Sequence, residues 1–318
     1  MMQKRRLGRT DIYITPIGLG TWQLSEGQGF HKYMWAGISA ETTNSIIKTA
    51  LDGGISWFDT AEIYGNGRSE KGLASALKAA GKNNGDVVIA TKWWPLMRRA
   101  SSIRNTIDER LSCLKPFAID LYQVHNPYSF ASIGAQMNAM ADLCEAGKIR
   151  SIGVSNFSAK MMRKAHDVLA RRGVSLASNQ VKYNLLARGI EDNGVLDAAK
   201  ELGITIICYS PLEMGLLSGK FHNDPNLLRS RPRGRRNAIG KKLEASRPLI
   251  DVLSKIAEAH GATVSQVALS WLVTFSGDMV VAIPGASKPK HAEESAGAMK
   301  VALTCEEMER IDRVARVR

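Results

Sequence analysis

The sequence holds only four cysteines, and Cys113, Cys144, Cys208 and Cys305 form no CxxC pair. That scatter excludes a disulfide framework and a zinc knuckle, so a cytoplasmic protein in a reducing compartment, with no metal site, is expected. Long apolar runs are missing as well: none approaches the ~20 residues that cross a bilayer. The basic opening MMQKRRLGRTD leads into no apolar stretch, so neither a signal peptide nor a membrane partner is expected. A glycine fingerprint is also absent, because Gly18, Gly20 and Gly27 lack the GxGxxG spacing that seats a pyrophosphate on the helix after a first strand. Any nucleotide must be held in another way.

What the chain does have is a globular balance, with 44% hydrophobic and 23% charged residues, which excludes collagen-like, coiled-coil and disordered chains. Its net charge of +13 favours an anionic partner: phosphate, nucleic acid or acidic lipid. A length of 318 residues fits either two domains or one α/β barrel.

Alternation of strand and helix patterns decides between them. A short opening hairpin (Arg5 to Leu7, Ile12 to Ile14) precedes eight nearly continuous apolar runs. These are Ile17–Gly20, Trp57–Asp59, Val87–Lys92, Leu121–His125, Ser151–Ser155, Ala177–Val181, Ile204–Tyr209 and Val280–Ile283. Between them Glu41–Leu51, Ser69–Ala79, Ser101–Leu114, Ser132–Ala146, Ala159–Arg171 and Asn193–Leu202 carry apolar residues at helical spacing. Strands apolar on both faces imply a parallel sheet covered on both sides, and eight βα units close into a (β/α)8 TIM barrel. Residues 1–318 therefore read as one barrel domain with an N-terminal β-hairpin cap; an open doubly wound sheet is the competitor. Leu212–Pro248, rich in Gly, Pro, Arg and Asn, reads as a long functional loop. Thr304–Arg318 reads as an extra C-terminal helix opened by a Thr304/Glu307 capping box.

In such a barrel the chemistry sits at the C-terminal ends of the strands. Those ends carry Asp59, Tyr64 in the loop beyond, Lys92, His125, Ser155-Asn156, Gln180 and Tyr209-Ser210. Singly each has a structural explanation: Asp59 as a cap, Tyr64 packed beside Gly65 and Gly67, Lys92 snorkelling from the rim, His125 satisfied in the core. Together Asp59, Lys92, Tyr64 and His125 make a proton-donating device. A buried lysine needs a carboxylate, and its charge favours proton loss from a tyrosine whose ordinary pKa is ~10. Such a device suits protonation of a carbonyl oxygen while a nicotinamide delivers hydride to the carbon.

The stretches GISWFDTAEIYGNGRSEKGLASAL (Gly54–Leu77), VVIATKW (Val87–Trp93), LYQVHNP (Leu121–Pro127), IGVSNF (Ile152–Phe157), CYSPL (Cys208–Leu212) and VAIPGASKPKHAEES (Val281–Ser295) resemble the aldo-keto reductases, in that family's order. The resemblance implies a barrel that binds extended NADPH/NADP across its mouth, and it puts the family's catalytic Asp, Tyr, Lys and His on Asp59, Tyr64, Lys92 and His125. It further implies that Ser155, Asn156 and Gln180 hold the carboxamide, that Tyr209 stacks on the nicotinamide, and that Ser210, Leu212, Gly215 and Lys220 cover the pyrophosphate. At the adenosine end it points to Gly285, Ser287, Lys288, His291 and Glu294, with His291 standing where many relatives have Gln. Trp22, Trp93, Trp94 and Tyr128, at strand ends, are expected to wall the substrate pocket.

The run RSRPRGRRN (Arg229–Asn237) is open to three readings: a nucleic-acid patch, a cofactor clamp or a solvated loop. It lacks the interleaved aromatics of a stacking platform, so no nucleic-acid partner is expected. The expected function is NADPH-dependent reduction of aldehydes or ketones to alcohols, with a small carbonyl compound as partner and subunit number open. The alternative is a nicotinamide-binding regulatory subunit, since the family resembles potassium-channel β subunits.

Overall fold

The computed structural model describes residues 3–25 and 37–316, so Gly27 and the last two residues of the expected C-terminal helix lie outside the described residues. A two-stranded hairpin, β1 (Arg5–Arg6) with β2 (Tyr13–Ile14), precedes eight parallel strands. These are β3 (Leu19–Gly20), β4 (Trp57–Asp59), β5 (Val88–Trp93), β6 (Leu121–Val124), β7 (Ser151–Ser155), β8 (Leu176–Lys182), β9 (Thr205–Tyr209) and β10 (Val280–Ala282). They lie in sequence order from β3 to β10. Parallel bridges Ile17 to Ala282 and Gly20 to Gly285 join the two outer strands, with Gly18 N–H donating to Ala282 O at 2.8 Å, so the sheet closes as the alternation implies.

Period-two alternation sorts every strand into two faces. Trp57, Ala90, Leu121, Ile207 and Val281 face inward and pack with Leu7, Ile12 and Ile14 of the hairpin. The hairpin is therefore the floor of the barrel, and Gly8 N–H donating to Thr205 Oγ1 at 2.7 Å holds it there. Phe58, Ile89, Tyr122, Ile152, Ile206 and Val280 face outward into the helix layer. Gly18 is required by the floor's packing, since a Cβ there would lie 2.3 Å from the Trp57 indole.

Between β7 and β8 the register slips: Ile152 pairs with Leu176, and the next residue, Gly153, pairs with Ser178. Ala177 is the extra residue of a bulge, and it reverses the facing of all that follows. Leu176 packs outward, yet Ser178 points inward against Gly153, and Gln180 follows it into the barrel.

The helices follow the strands as expected: α1 (Ala40–Asp52), α2 (Arg68–Ala79), α3 (Ser101–Leu114), α4 (Ile133–Glu145), α5 (Ala159–Ala170) and α6 (Val195–Leu202). Ser39, Ser132 and Ser158 cap α1, α4 and α5 through their hydroxyls. The long segment after β9 departs from expectation, being helical rather than loop. After a tight turn at Glu213–Ser218 come α7 (Lys220–Asn223), α8 (Asn226–Arg229), α9 (Arg233–Leu243), α10 (Arg247–Ala259) and α11 (Val264–Phe275). Most of the basic run thus lies in α8 and α9. The helix α12 (Pro289–Gly297) follows β10, and α13 (Cys305–Arg316) carries the expected capping box: Thr304 N–H donates to Glu307 Oε2 at 2.8 Å and Glu307 N–H to Thr304 Oγ1 at 3.2 Å. α13 packs outside the barrel, where Trp271 Nε1 donates to Met308 O at 3.2 Å. No helix among the described residues is long and apolar enough to cross a membrane.

Candidate active site

At the C-terminal ends of β4 and β5, Asp59 and Lys92 sit inside the barrel, 1% and 0% exposed. The Lys92 ammonium donates to Asp59 Oδ1 and, at 2.8 Å, to Thr60 O. Gln123 Nε2 and Gln180 Nε2 donate to Asp59 Oδ2 at 3.1 and 2.9 Å, which satisfies the carboxylate from three sides. Burial works to lower the Lys92 pKa, but Asp59 and Tyr64 outweigh it and hold the ammonium above its ordinary value. Tyr64, delivered by the turn after β4, hydrogen-bonds Lys92 and presents its ring 5.1 Å from the ammonium. Burial raises the Tyr64 pKa; Lys92 opposes the rise and Asp59 adds to it. The net direction is upward, opposite to the simple cation argument from sequence, because water is excluded from a partly covered hydroxyl.

Tyr64 lies between aromatic partners. Trp22 stacks on it at 6.2 Å, and His125 meets it edge-on at 5.6 Å. Trp94 in turn meets His125 edge-on at 5.2 Å. Of the expected pocket walls, Trp22 and Trp94 therefore stand at this cluster, while Tyr128 is on the rim at 71% exposure. Trp93 is a correction. It is 0% exposed on the outward face of β5, where its Nε1 donates to Ser102 Oγ at 3.0 Å, because the residue after an inward lysine must point outward.

On the opposite wall Ser155 Oγ donates to Gln180 O (2.9 Å), Asn156 Nδ2 to Ser155 Oγ (3.1 Å) and the Tyr209 hydroxyl to Asn156 Oδ1 (3.1 Å). Asn156 and Ser210 have φ of +59° and +52°, and Glu213, Met214 and Gly215 continue left-handed at +45°, +55° and +90°. Strain of this kind persists where surroundings over-determine it. Here they do: the buried Glu213 carboxylate accepts from Lys182 (2.9 Å), Lys242 (2.7 Å) and Asn184 (2.8 Å). Burial alone would raise the Glu213 pKa, but these donors hold it below the usual carboxylate range.

Beyond this turn the basic residues converge. Arg235, 5% exposed, donates Nη2 to Met214 O at 2.7 Å, and a Cβ on Gly215 would meet Lys220 Nζ at 3.2 Å and Arg235 Nη2 at 3.6 Å. From the other side Ser287 approaches His291 Nδ1 with its hydroxyl at 3.3 Å, while Lys288 is exposed and Gly285 backs onto the buried Gln23 amide. Burial, then Lys220, Lys288, Arg235 and Arg231, press the His291 pKa down to about 4. Burial and the neighbouring cations, Arg235 first, likewise lower Lys220, with Glu294 opposing. Clustered cations whose mutual repulsion is barely relieved by a carboxylate fit an anionic group such as a nucleotide phosphate. Leu212 and Ser210 border the same turn. Among the described residues no His, Cys, Asp or Glu cluster could hold a metal.

The chain matches the profile described as the Aldo/keto reductase family over residues 16–316, and it belongs to that family of oxidoreductases. It is 32% identical to the chloroplastic pyridoxal reductase of Arabidopsis thaliana over 99% of this chain and 86% of that protein. It is also 32% identical to the aldo-keto reductase yakc [NADP(+)] of Schizosaccharomyces pombe, over 94% and 87%. The solved glycerol dehydrogenase of Gluconobacter oxydans superposes with a TM-score of 0.79 at 30% identity, covering 98% and 94% of the two chains.

Sequence reasoning missed Gln123, which shares the inward face with Lys92 and would have been found by counting in twos back from His125. It also missed Glu213, Lys182, Asn184 and Arg235, whose partners lie too far away in sequence to leave a local signal.

Proposed function

We propose that the protein is an NADPH-dependent carbonyl reductase that converts aldehydes or ketones to alcohols. The observation that carries this reading is the buried hydrogen-bonded line from Asp59 through Lys92 to Tyr64, with His125 against the Tyr64 ring at the barrel mouth. Tyr64 is the proton donor to the carbonyl oxygen. Lys92 opposes the burial that would keep the phenol too weak an acid, Asp59 holds Lys92 charged, and His125 orients the oxygen. The nicotinamide, when bound, supplies the hydride. Ser155 and Asn156, with Gln180 behind them, face its carboxamide, Tyr209 its ring, and Ser210, Leu212, Gly215 and Lys220 its pyrophosphate. Gly285, Ser287, Lys288, His291, Glu294 and Arg235 take the adenosine end with its 2′-phosphate. The name of the S. pombe relative supports NADP(+), and the names of the plant and Gluconobacter relatives support carbonyl–alcohol chemistry.

The test is loss of NADPH absorbance with a generic aromatic aldehyde, for wild type and Tyr64→Phe. Turnover should fall roughly 10²–10⁴-fold in the variant while NADPH affinity holds. Retention of most of the activity would remove Tyr64 from the role of acid. Nicotinamide binding without turnover in the wild type would favour the regulatory-subunit reading.

A further inference from the structure

The turn that carries Tyr64 also carries Glu62, a buried carboxylate to which the reaction assigns no task. Its Oε1 accepts from the backbone N–H of Trp94 and from Arg98 Nη1. Both partners belong to the next loop, between β5 and α3. Arg98 also donates to Trp94 O at 3.1 Å and to Thr106 Oγ1 at 3.3 Å, so its guanidinium is fixed from several sides. Its own carbonyl accepts from Ser129 Oγ at 2.8 Å and Phe130 N–H at 3.1 Å, which draws in the loop between β6 and α4. Three loops around the mouth thus meet at one ion pair. Trp94, held by Glu62 at its backbone, is the ring that stands edge-on to His125.

We propose that Glu62 is a positioning residue: by holding Trp94 and, through Arg98, the three mouth loops, it sets the angle of the His125 ring against Tyr64. A buried carboxylate is a poor way to gain stability alone, because desolvation opposes it. Burial raises the Glu62 pKa, while the Trp94 N–H, Arg98 and Arg110 pull it back. Its placement is better explained by geometry, since reacting groups lose about 10²-fold in rate when misplaced by ~1 Å. Leu96, Met97, Tyr128 and Phe130, all at least half exposed, form no covered core that would hold these loops otherwise.

The inference rests on the proposed reaction for its kinetic readout, so a second readout stands apart from turnover. It is the imidazole C–H resonance of His125, assigned by its loss in His125→Gln and sensitive to the ring currents of Trp94 and Tyr64. In Glu62→Ala that resonance should move and kcat with an aromatic aldehyde should fall roughly 10- to 100-fold, with NADPH affinity unchanged. Glu62→Gln, whose side-chain carbonyl still accepts from Trp94 N–H, should restore the resonance and most of the rate. If Glu62→Ala does not fold, Arg98→Met, altered at a residue partly open to solvent, decides by the same two readouts. A wild-type resonance and rate in the variant that folds would overturn the proposal, as would a Glu62→Gln no better than Glu62→Ala. Should the wild type turn over no aldehyde, a resonance that moves in Glu62→Ala and returns in Glu62→Gln would still support the positioning role while the reductase reading falls.

Discussion

Replacing Lys92 by Met keeps the unbranched stem and removes only the ammonium, so it isolates the charge at the centre of the site. The side chain is fully buried, and no cavity forms. Three things are lost: the partner of Asp59 Oδ1, the donor to Thr60 O, and the cation beside Tyr64. Stranding one member of a buried pair costs about 3–5 kcal/mol. Asp59 keeps its two amide donors on Oδ2, so the lower end, about 3 kcal/mol, applies. At about 2 °C per kcal/mol for a chain of this size, the melting midpoint should drop by about 6 °C. The effect on rate is larger. Without Lys92, burial and Asp59 both push the Tyr64 pKa upward unopposed, and turnover should fall by ~10² or more. The sign with pH is fixed as well. The folded pKa of Lys92 is raised, so its contribution is complete below the unfolded value of ~10.4 and is lost only as pH climbs through the folded value. The deficit in Lys92→Met should therefore be flat across neutral pH. Thermal melting by circular dichroism and NADPH consumption, each followed across that range, measure the two effects. Turnover within tenfold of wild type together with an unchanged midpoint would refute both the pairing energetics and the role of the cation.

Two further outcomes concern the basic cluster. Lys288→Ala should weaken NADPH binding and leave NADH binding unaltered, because only NADPH brings a 2′-phosphate to the cluster; the loss should be about tenfold at low salt and shrink as salt rises, measured by titrating tryptophan fluorescence. His291 is held neutral by its cationic neighbours, with a folded pKa of about 4 against an ordinary 6.5, so the unfolded chain takes up its proton first as pH falls. Wild type should lose stability between those values, by about 1 kcal/mol after discounting for solvent screening, and His291→Gln should flatten that part of a denaturant-derived stability curve.

The barrel was legible because its strands are buried on both faces and so appear as unbroken apolar runs; Ser101–Leu114 even matches α3 at both ends. The catalytic-type cluster was legible because strand ends in this fold have one destination. What was not legible depends on partners remote in sequence. Arg233–Leu243 shows no apolar stripe, burying only Arg235 and Ile239, and it is fastened by Arg235 to Met214 and by Lys242 to Glu213. Reading it as a loop was the natural result of looking for periodicity. Trp93 was assigned to the pocket by its neighbourhood, although alternation from the inward Lys92 already pointed it outward.

The extra residue in β8 has a consequence for how this gene tolerates change. Elsewhere in a barrel, gaining or losing a codon lengthens or shortens a loop at the surface. Losing the codon for Ala177 would instead transpose the two faces of the strand beyond it: Asn179 and Val181 would enter the barrel, and Gln180 would leave Asp59 for the helix layer. The hydrophobic content of the chain would barely change, and a reading frame counted by composition would look intact. Lineages of this chain are therefore free to vary the length of their mouth loops, but the length of this one strand is locked to the chemistry at its end.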